Sequence, residues 1–394
     1  MTQQNGLLEQ GTDMILLAAC ALHDQIPDEQ RLRAMDFDAL FRLASLHSMQ
    51  VIVYMTLEKC VAFYGDDWID PVLRAKWRRS YMREMKRLLA LEVERERLTC
   101  FLRENGISYL CLKGAVLQNY YRTVGMRQMS DNDILIDPAH AKRIRRYMSQ
   151  QGYSTSGYGV GCHDIYQKDN LYFEIHRTLV SDKGNRPEEQ LAARYYKNVK
   201  ARLVPAENGI ELRFTDEDFY VYFISHAYKH FYGRGYGVRF LMDVFVLTHA
   251  LGDRICDRYV RGELESLGLS SFENMITSLS ERLFFHAAEM PQALDEQERQ
   301  VLVYCLKSGT FGTYQTYVEN SLHRMASGKR ISFVMRARYF LRRIFPPLRY
   351  YWDKHPVLSK FIITIPFLWI ARLIRGISKP HALATEMHYL KKTE

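Results

Sequence analysis

The hydrophobic pattern of the chain changes its period at Ile107, and this change restricts the choice of fold more than any other feature. Between Asp13 and Glu104 apolar residues recur every three or four positions, which is typical of amphipathic helices. From Ile107 to Val180, short β-prone segments (ISYLCLKG, DNDILID and NLYFEIHRTL) alternate with helix-like segments. The predicted order is β, α, β, α, β, β. The chain should therefore adopt an α+β fold and not a purely helical one.

Helical patterns return after Arg186. Thr215 followed by three acidic residues is typical of a helix N-terminus, and the segment FYVYFISHAYKHF continues it until the glycines at 233, 235 and 237. A second helix is predicted from VRFLMDVFVLTHAL, and helical patterns continue to about Asn320. We predict four regions: an N-terminal helical region (1–105), a central α+β core (106–205), a helical domain that closes a cleft over this core (206–320) and a basic, aromatic, helical C-terminal region (321–394).

The formal net charge of +9 is concentrated at the C-terminal end. Residues 321–394 hold fifteen Lys or Arg and three Asp or Glu, a net charge of +12, whereas the first 320 residues hold 39 basic and 42 acidic residues, a net charge of −3. Three interpretations of the basic region stay open: helices that pack on the core, contact with nucleic acid, or a peripheral position on an anionic membrane. Its longest apolar run, Phe361–Ala371, is eleven residues long, too short for the roughly 20 that span a bilayer.

The cysteines and the N-terminal sequence indicate the cellular compartment of the protein. Seven cysteines are scattered without a CxxC pair or a zinc-binding spacing, which favours reduced thiols over a disulfide framework. The first twenty residues lack the basic segment of a signal peptide and carry an acidic residue within their apolar stretch. We predict a cytoplasmic protein, with a peripheral membrane position as an open alternative.

Two aspartates stand one residue apart at the start of a hydrophobic strand. Side chains at i and i+2 of a strand share a face, so Asp131 and Asp133 should project together while Asn132 and Ile134 face the other way. Neighbouring carboxylates repel unless a positive charge lies between them. Hard oxygen ligands favour Mg²⁺ or Mn²⁺, so this pair predicts a divalent metal site.

A third carboxylate lies in the middle of another apolar strand. In NLYFEIHRTL the residues Tyr172, Glu174 and His176 share one face, and Phe173 and Ile175 share the other. If this strand lies beside the aspartate strand with the same face exposed, three carboxylates meet. Such a group can hold two Mg²⁺ ions for phosphoryl or nucleotidyl transfer.

These segments together resemble a known superfamily. The segments LKGAVL, MRQMSDNDILI, FEIHRTL and GVRFLMDV resemble the DNA polymerase β-like nucleotidyltransferases, and the longer context is similar to the uncharacterised nucleotidyltransferase family of bacteria. The resemblance implies a polymerase β-like core, a small mixed sheet with flanking helices, framed here by N- and C-terminal helical regions. It also implies Mg²⁺-dependent transfer of a nucleoside monophosphate from NTP to an acceptor hydroxyl, with release of pyrophosphate.

The resemblance assigns roles to individual residues. Asp131 and Asp133 correspond to the pair that binds both metals, and Glu174 to the third carboxylate, a metal ligand or general base. Gly114 falls at the turn whose backbone N–H groups contact the triphosphate. The superfamily usually has Gly-Ser at this turn, whereas this chain has Lys-Gly-Ala at 113–115. We therefore expect Lys113 and Arg127 to supply positive charge for the phosphates.

Several other polar residues are candidates for contact with a substrate. His226 and His230 have the i,i+4 spacing of a zinc pair but lack the HExxH glutamate and an evident third ligand, so they are interpreted as structural or substrate-facing. His176 either touches substrate or is a hydrogen-bonded neighbour of the site. Arg239 and Asp243, also at i,i+4, are predicted to form an ion pair within one helix, and the resemblance suggests that they line the cleft.

Two other functions stay open at this point. A glycosyltransferase with a DxD motif would hold a nucleotide-sugar through one metal and would not need Glu174. A catalytically inactive binding protein would keep the fold without turnover. The sequence does not choose the acceptor among a small molecule, a sugar, an RNA end and a protein, and it decides neither the base of the NTP nor the oligomeric state.

Overall fold

A computed structural model describes residues 2–180, 187–286, 294–326, 329–346, 350–351, 362–377 and 380–392. The N-terminal region is helical, as the sequence pattern predicts. The α-helices are α1 (Thr2–His23), α2 (Glu29–Arg33), α3 (Phe37–Leu46), α4 (Gln50–Tyr64), α5 (Pro71–Glu104), α6 (Gly114–Leu117), α7 (Ala141–Gln150), α8 (Pro187–Lys200), α9 (Asp216–Phe231), α10 (Val238–Leu251), α11 (Asp257–Ser266), α12 (Ser270–Phe284), α13 (Glu296–Ser308), α14 (Tyr314–Ala326), α15 (Phe333–Ile344), α16 (Ile365–Ile377) and α17 (Pro380–Lys392).

The long helix α5 leads into the sheet. It begins at Pro71 because the Asp70 carboxylate accepts a hydrogen bond from the backbone N–H of Leu73, and proline is suited to the first turn of a helix. It ends at Glu104 with Asn105 as its C-cap, and Gly106 follows with a φ of 61°, a left-handed conformation that favours glycine. The predicted helix end at Glu104–Gly106 is confirmed.

One mixed sheet forms the centre of the described structure. Its strands are β1 (Tyr109–Cys111), β2 (Asn132–Ile136), β3 (Ser154–Ser156), β4 (His163–Lys168), β5 (Leu171–His176), β6 (Val204–Pro205) and β7 (Glu211–Arg213). They lie in the order β3-β4-β5-β2-β1-β7-β6. Strand β2 runs parallel to β5 and antiparallel to β1, and β4 and β5 form an antiparallel hairpin that turns at Asp169–Asn170. The predicted α+β class is confirmed. The predicted order β, α, β, α, β, β is one strand short, because the short strand β3 precedes the β4–β5 hairpin.

The two faces of the sheet differ in polarity. Ile134 of β2 and Phe173 and Ile175 of β5 are fully or almost fully buried against α5 and α7. Strand alternation then directs Asp133 and Glu174 to the opposite face, as predicted. This face carries the acidic residues.

The sheet extends further along the chain than the sequence suggested. Strand β7 pairs in parallel with β1, placing Glu211 opposite Tyr109 and Leu212 opposite Leu110, and β6 pairs with β7. The expectation that only helices follow Arg186 is therefore wrong. Strands of two and three residues are too short to show an alternating pattern. The sheet thus passes residue 205, where we placed the end of the central α+β core; the domain boundaries stay a prediction.

The N-terminal helices share their largest core with the helices that follow the sheet. Helix α1 packs against α3, α4, α12 and α13, and α10 packs against α12 and α9. Residues from both regions, such as Ile15, Leu57, Val244 and Leu279, belong to one buried cluster. The two helical regions therefore share one continuous hydrophobic core that supports the sheet.

The C-terminal helices have a small core of their own. Val318, Leu322, Tyr339 and Leu390 pack together, and Arg343 forms an ion pair with the buried Glu386. The predicted apolar run begins at residue 361, which lies outside the described residues, and most of it belongs to α16. Within the described ranges, no helix has the length and apolar character needed to cross a membrane.

Candidate metal centre

Three carboxylates meet where β2 and β5 run side by side. The register of these parallel strands places Asp133 directly opposite Glu174, and Asp131 stands just before β2. One carboxylate oxygen from each of Asp131, Asp133 and Glu174 lies within 4.8 Å of those of the other two. The structure therefore brings together the acidic group that the sequence predicts, on one face of the sheet.

The carboxylate of Asp131 lacks a partner. Within the described parts of the chain it makes neither a hydrogen bond nor an ion pair. Burial and the nearby charges of Asp133 and Glu174 raise its pKa to about 7. A carboxylate under such repulsion gains most from a bound cation. This unpartnered acid is the observation that best fits a metal ion.

Asp133, in contrast, is buried and is paired through one of its two oxygens. Its Oδ1 atom lies 2.7 Å from Lys113 Nζ and 2.9 Å from His176 Nε2. Burial alone would raise the pKa of Asp133, but the charge of Lys113 and the hydrogen bond from His176 outweigh it and lower that pKa. Asp133 is therefore an anion at neutral pH.

Lys113 occupies the turn between β1 and α6 in an unusual conformation. Its φ of 47° and ψ of −117° lie in a region that favours glycine. Its ammonium reaches Asp133 and also lies 3.6 Å from Glu174 Oε2. Burial opposes its charge, but the neighbouring carboxylate of Asp133 keeps its pKa above the usual value. In this structure Lys113 contacts the acids, and its contact with phosphates stays a prediction.

Two histidines flank Glu174, and the sequence analysis considered only one of them. His163 Nε2 on β4 lies 3.7 Å from Glu174 Oε1, and His176 Nε2 lies 3.5 Å from Glu174 Oε2. Ligand atoms of His163, Glu174 and His176 also lie within 4.8 Å of one another. The register of the β4–β5 hairpin, which places His163 opposite His176, is the signal that could have revealed His163.

Long-range contacts hold the loop that carries Asp131. Arg87 of α5 donates hydrogen bonds to the carbonyls of Met129 and Ser130, the latter at 3.3 Å. Arg239 donates to the carbonyl of Gln128 at 2.8 Å. The position of the aspartate therefore depends on helices from both sides of the sheet.

Arg127 and Asp243 form a buried ion pair that the sequence analysis did not anticipate. Arg127 Nε and Nη2 lie 2.7 Å and 3.0 Å from the two carboxylate oxygens of Asp243, and the hydroxyl of Tyr121 donates to the same carboxylate at 2.6 Å. The expected partner within α10, Arg239, binds the loop carbonyl instead. The predicted ion pair of Arg239 with Asp243 was wrong, because i,i+4 spacing does not exclude a partner from a distant part of the chain. A phosphate contact by Arg127 stays a prediction.

Gly114 is packed tightly at the start of α6. A Cβ atom at this position would lie 2.7 Å from both Arg127 Nη1 and Met129 Sδ. The structure thus gives a packing reason for glycine here. Backbone contact with a triphosphate, the reason expected from the resemblance, stays a prediction.

His226 and His230 face each other on α9, with their Nε2 atoms 3.1 Å apart. Burial lowers the pKa of both imidazoles, that of His230 to about 4, and the charges of Lys229 and Lys113 add to this effect. Both are therefore neutral at pH 7. Among the described residues, no third ligand joins them in a metal-binding group. Contact with a substrate stays a prediction.

An open cleft of about 710 Å³ lies beside the acidic group. Asp131 and Glu174 lie in its wall, and most of the other lining side chains are polar, from helices α3–α5, strands β3–β5 and the loop before β2. Ligand-binding clefts commonly measure about 300–1,000 Å³. The cleft is thus large enough for a nucleotide-sized molecule.

Comparison with known proteins agrees with this geometry. Neither the curated proteins nor the solved structures gave a match to the chain. The sequence profile of a family described as uncharacterised nucleotidyltransferase matches residues 33–285, well over half of the chain. The matched range includes the sheet, the three carboxylates and the ion pair of Arg127 with Asp243. The chain belongs to this uncharacterised nucleotidyltransferase family.

Proposed function

We propose that the protein is a Mg²⁺- or Mn²⁺-dependent nucleotidyltransferase. The hydroxyl oxygen of an acceptor bonds to the α-phosphorus of an NTP, the bond between the α- and β-phosphates breaks, and pyrophosphate leaves. The acceptor is a small molecule, a sugar, an RNA end or a protein. The observation that carries the proposal is the unpartnered, half-buried Asp131 beside Asp133 and Glu174 at the wall of a cleft.

The residues present fit a hard divalent cation. Asp131, Asp133 and Glu174 would hold it, because carboxylate oxygens are the ligands that Mg²⁺ and Mn²⁺ prefer. When bound, the metal neutralises charge on phosphate oxygens and lowers the pKa of a coordinated hydroxyl.

The chain's own groups would align the reactants. Lys113 and His176 fix Asp133 in one orientation through hydrogen bonds of 2.7 Å and 2.9 Å. Arg87 and Arg239 fix the backbone of the loop before Asp131. Precise placement of reacting groups contributes a large share of the rate in phosphoryl transfer, which needs little covalent participation by the protein.

A cytoplasmic location is part of the proposal. None of the seven cysteines forms a disulfide in the described structure. Cysteines without disulfides are typical of a reducing compartment. Fractionation of cells that produce the protein, with immunodetection in each fraction, tests this location.

The activity test uses each of the four NTPs, α-³²P-labelled, with Mg²⁺ and a cell extract. Wild-type protein should label an acceptor, and Asp131→Asn should not. Asp137→Asn is the matched control, because Asp137 belongs to the same segment but is exposed and caps a short helical turn. Labelling by Asp131→Asn at the wild-type rate would refute the proposal. Transfer from a nucleotide-sugar, retained when Glu174 is replaced by Gln, would assign the site to a glycosyltransferase instead.

A further inference from the structure

We propose that Lys113 takes the place of a second cation in the metal centre, so that the protein without nucleotide binds one divalent ion and not two. This inference rests on the proposed function, because it assumes that the acidic group binds a metal. It concerns the number of ions and the residue that sets this number. The family resemblance alone implies two.

The position of the ammonium supports this inference. Lys113 Nζ lies between the two carboxylates that face each other across the paired strands, 2.7 Å from Asp133 and 3.6 Å from Glu174. A second metal ion would supply a positive charge between two acids from neighbouring strands, and the ammonium of Lys113 already supplies one there. Asp131 alone among the three acids is left without a partner in the described structure.

The charges balance with one ion. Three carboxylates carry −3, the lysine carries +1, and one divalent ion brings +2. A second divalent ion would leave an excess of positive charge in a partly buried site, unless a bound triphosphate compensates for it.

The backbone also indicates that this position is constrained. Lys113 adopts a φ of 47° that favours glycine, and only 22% of its side chain is exposed. The next residue toward the N-terminus, Leu112, donates its N–H to the carbonyl of Asp133 at 2.9 Å. Strand β2 thus holds the residue before the lysine through its backbone and the lysine itself through its side chain, so the ammonium is held near the acids.

The test counts Mn²⁺ ions bound by the full chain without nucleotide, using electron paramagnetic resonance of free Mn²⁺. We expect one ion per wild-type chain and two per Lys113→Gln chain, with wild-type stoichiometry kept in Lys113→Arg. Lys229→Gln is the matched control, because it removes an exposed lysine from the nearby helix α9 and should leave one ion bound. Thermal melts of each variant verify that it folds.

The outcomes separate the two proposals. Equal Mn²⁺ binding by wild type and folded Lys113→Gln overturns the role of Lys113 and leaves the proposed function standing. Absence of Mn²⁺ binding in both proteins overturns the proposed metal dependence and this inference together.

A separate observation concerns helix α16 and the turn before it. Ile363, Phe367, Ile370 and Ile374 are 79%, 70%, 54% and 63% exposed. Their spacing of four, three and four residues places them on one side of the helix. An exposed stripe of four large apolar side chains is unusual on a protein surface that faces only water.

The opposite side of α16 is attached to the protein. Leu368 is buried, the Trp369 indole donates a hydrogen bond to the carbonyl of Pro346 at 2.9 Å, and Arg372 Nε donates to the carbonyl of Arg343 at 3.0 Å. Helix α16 is therefore amphipathic in the folded protein. One side contacts the rest of the chain, and the apolar side faces outward.

We propose that this stripe lies in the surface of an anionic membrane. The net charge of +12 over residues 321–394 would attract acidic headgroups, and exposed Arg338 and Arg342 line a cleft of about 550 Å³ with Arg324. Interfacial helices combine an apolar side with basic residues in this way. Nucleic acid would use the basic residues but would leave the apolar stripe in water, so lipid is the better fit.

Cosedimentation with vesicles tests this surface. The full chain should bind vesicles of phosphatidylcholine with phosphatidylserine and bind phosphatidylcholine alone at least tenfold less. The double variant Phe367→Ser, Ile374→Ser should lose at least tenfold in the vesicle-bound to free ratio. Phe63→Ser is the matched control, because Phe63 is 73% exposed but lies on α4. Unchanged binding by the double variant, or binding of an RNA oligonucleotide with none to vesicles, overturns the proposal.

Discussion

The guanidinium of Arg127 and the carboxylate of Asp243 form a two-point ion pair that is almost completely buried, with Nε–Oδ1 and Nη2–Oδ2 distances of 2.7 Å and 3.0 Å. Arg127 belongs to the loop before the metal centre, and Asp243 belongs to α10, which packs against α9 and α12. The pair therefore joins the loop of Asp131 to the helical region that follows the sheet.

Removal of one member of this pair should destabilise the protein strongly. Asp243→Ala leaves the charge of Arg127 buried and unpaired, which costs about 3–5 kcal/mol. We expect this loss in the free energy of unfolding, measured with urea. The double variant Arg127→Met, Asp243→Leu should lose less than Asp243→Ala because no charge stays buried. Equal stability of Asp243→Ala and wild type would contradict the structural role of the pair.

Gly114 and Gly262 should respond in opposite ways to substitution by alanine. At Gly114 a Cβ would lie 2.7 Å from Arg127 Nη1 and Met129 Sδ, whereas the corresponding position at Gly262, within α11, has no heavy atom within 4 Å. Overpacking typically costs about 1–3 kcal/mol. Glycine in a helix interior costs about 0.5–1 kcal/mol relative to alanine. Gly114→Ala should therefore lower the melting temperature and Gly262→Ala should raise it; the reverse order would refute this packing argument.

Much of the metal centre follows from local sequence patterns. Strand alternation placed Asp131 and Asp133 on one face of their strand, and placed Glu174 opposite the apolar Phe173 and Ile175 on another. That the two strands lie side by side was an added condition, which the pairing of β2 with β5 meets. The N-cap at Thr215 was equally local, and its side chain accepts a hydrogen bond from the N–H of Asp218 at 3.1 Å.

The missed features depend on contacts between distant segments. Arg127 and Asp243 are 116 positions apart, so no pattern near either residue identifies the partner. His163 joins the site only through the hairpin register, and β7 pairs with β1 across about a hundred residues. Such pairings depend on tertiary packing. A short segment of the sequence does not show which distant segment will pack against it.

Asp131 should couple metal binding to stability. In the absence of metal, Asp131→Asn removes an unpartnered negative charge beside Asp133 and Glu174, so its melting temperature should equal or exceed that of wild type. Because a ligand that binds only the folded state stabilises it, Mn²⁺ should raise the melting temperature of wild type. The variant should show little or no such rise. A similar Mn²⁺-dependent shift in both proteins would place the metal elsewhere.

His47 should make stability depend on pH between about 4 and 6.5. This fully buried imidazole accepts a hydrogen bond from the N–H of Val238 at 3.2 Å, and its Nε2 lies 3.2 Å from the carbonyl of Leu306. Burial lowers its pKa to about 4, whereas the unfolded chain has a histidine pKa of about 6.5. Between these values the unfolded state binds a proton that the folded state does not. The contribution of neutral His47 is therefore fully present above about pH 6.5 and falls by roughly 3 kcal/mol as the pH approaches about 4.

Urea unfolding of wild type and His47→Gln across this range measures the difference, since the other titrating groups are common to both proteins. His47→Gln should be less stable than wild type at pH 7 and should lose less stability on acidification. Parallel pH profiles would show that His47 is not buried in its neutral form.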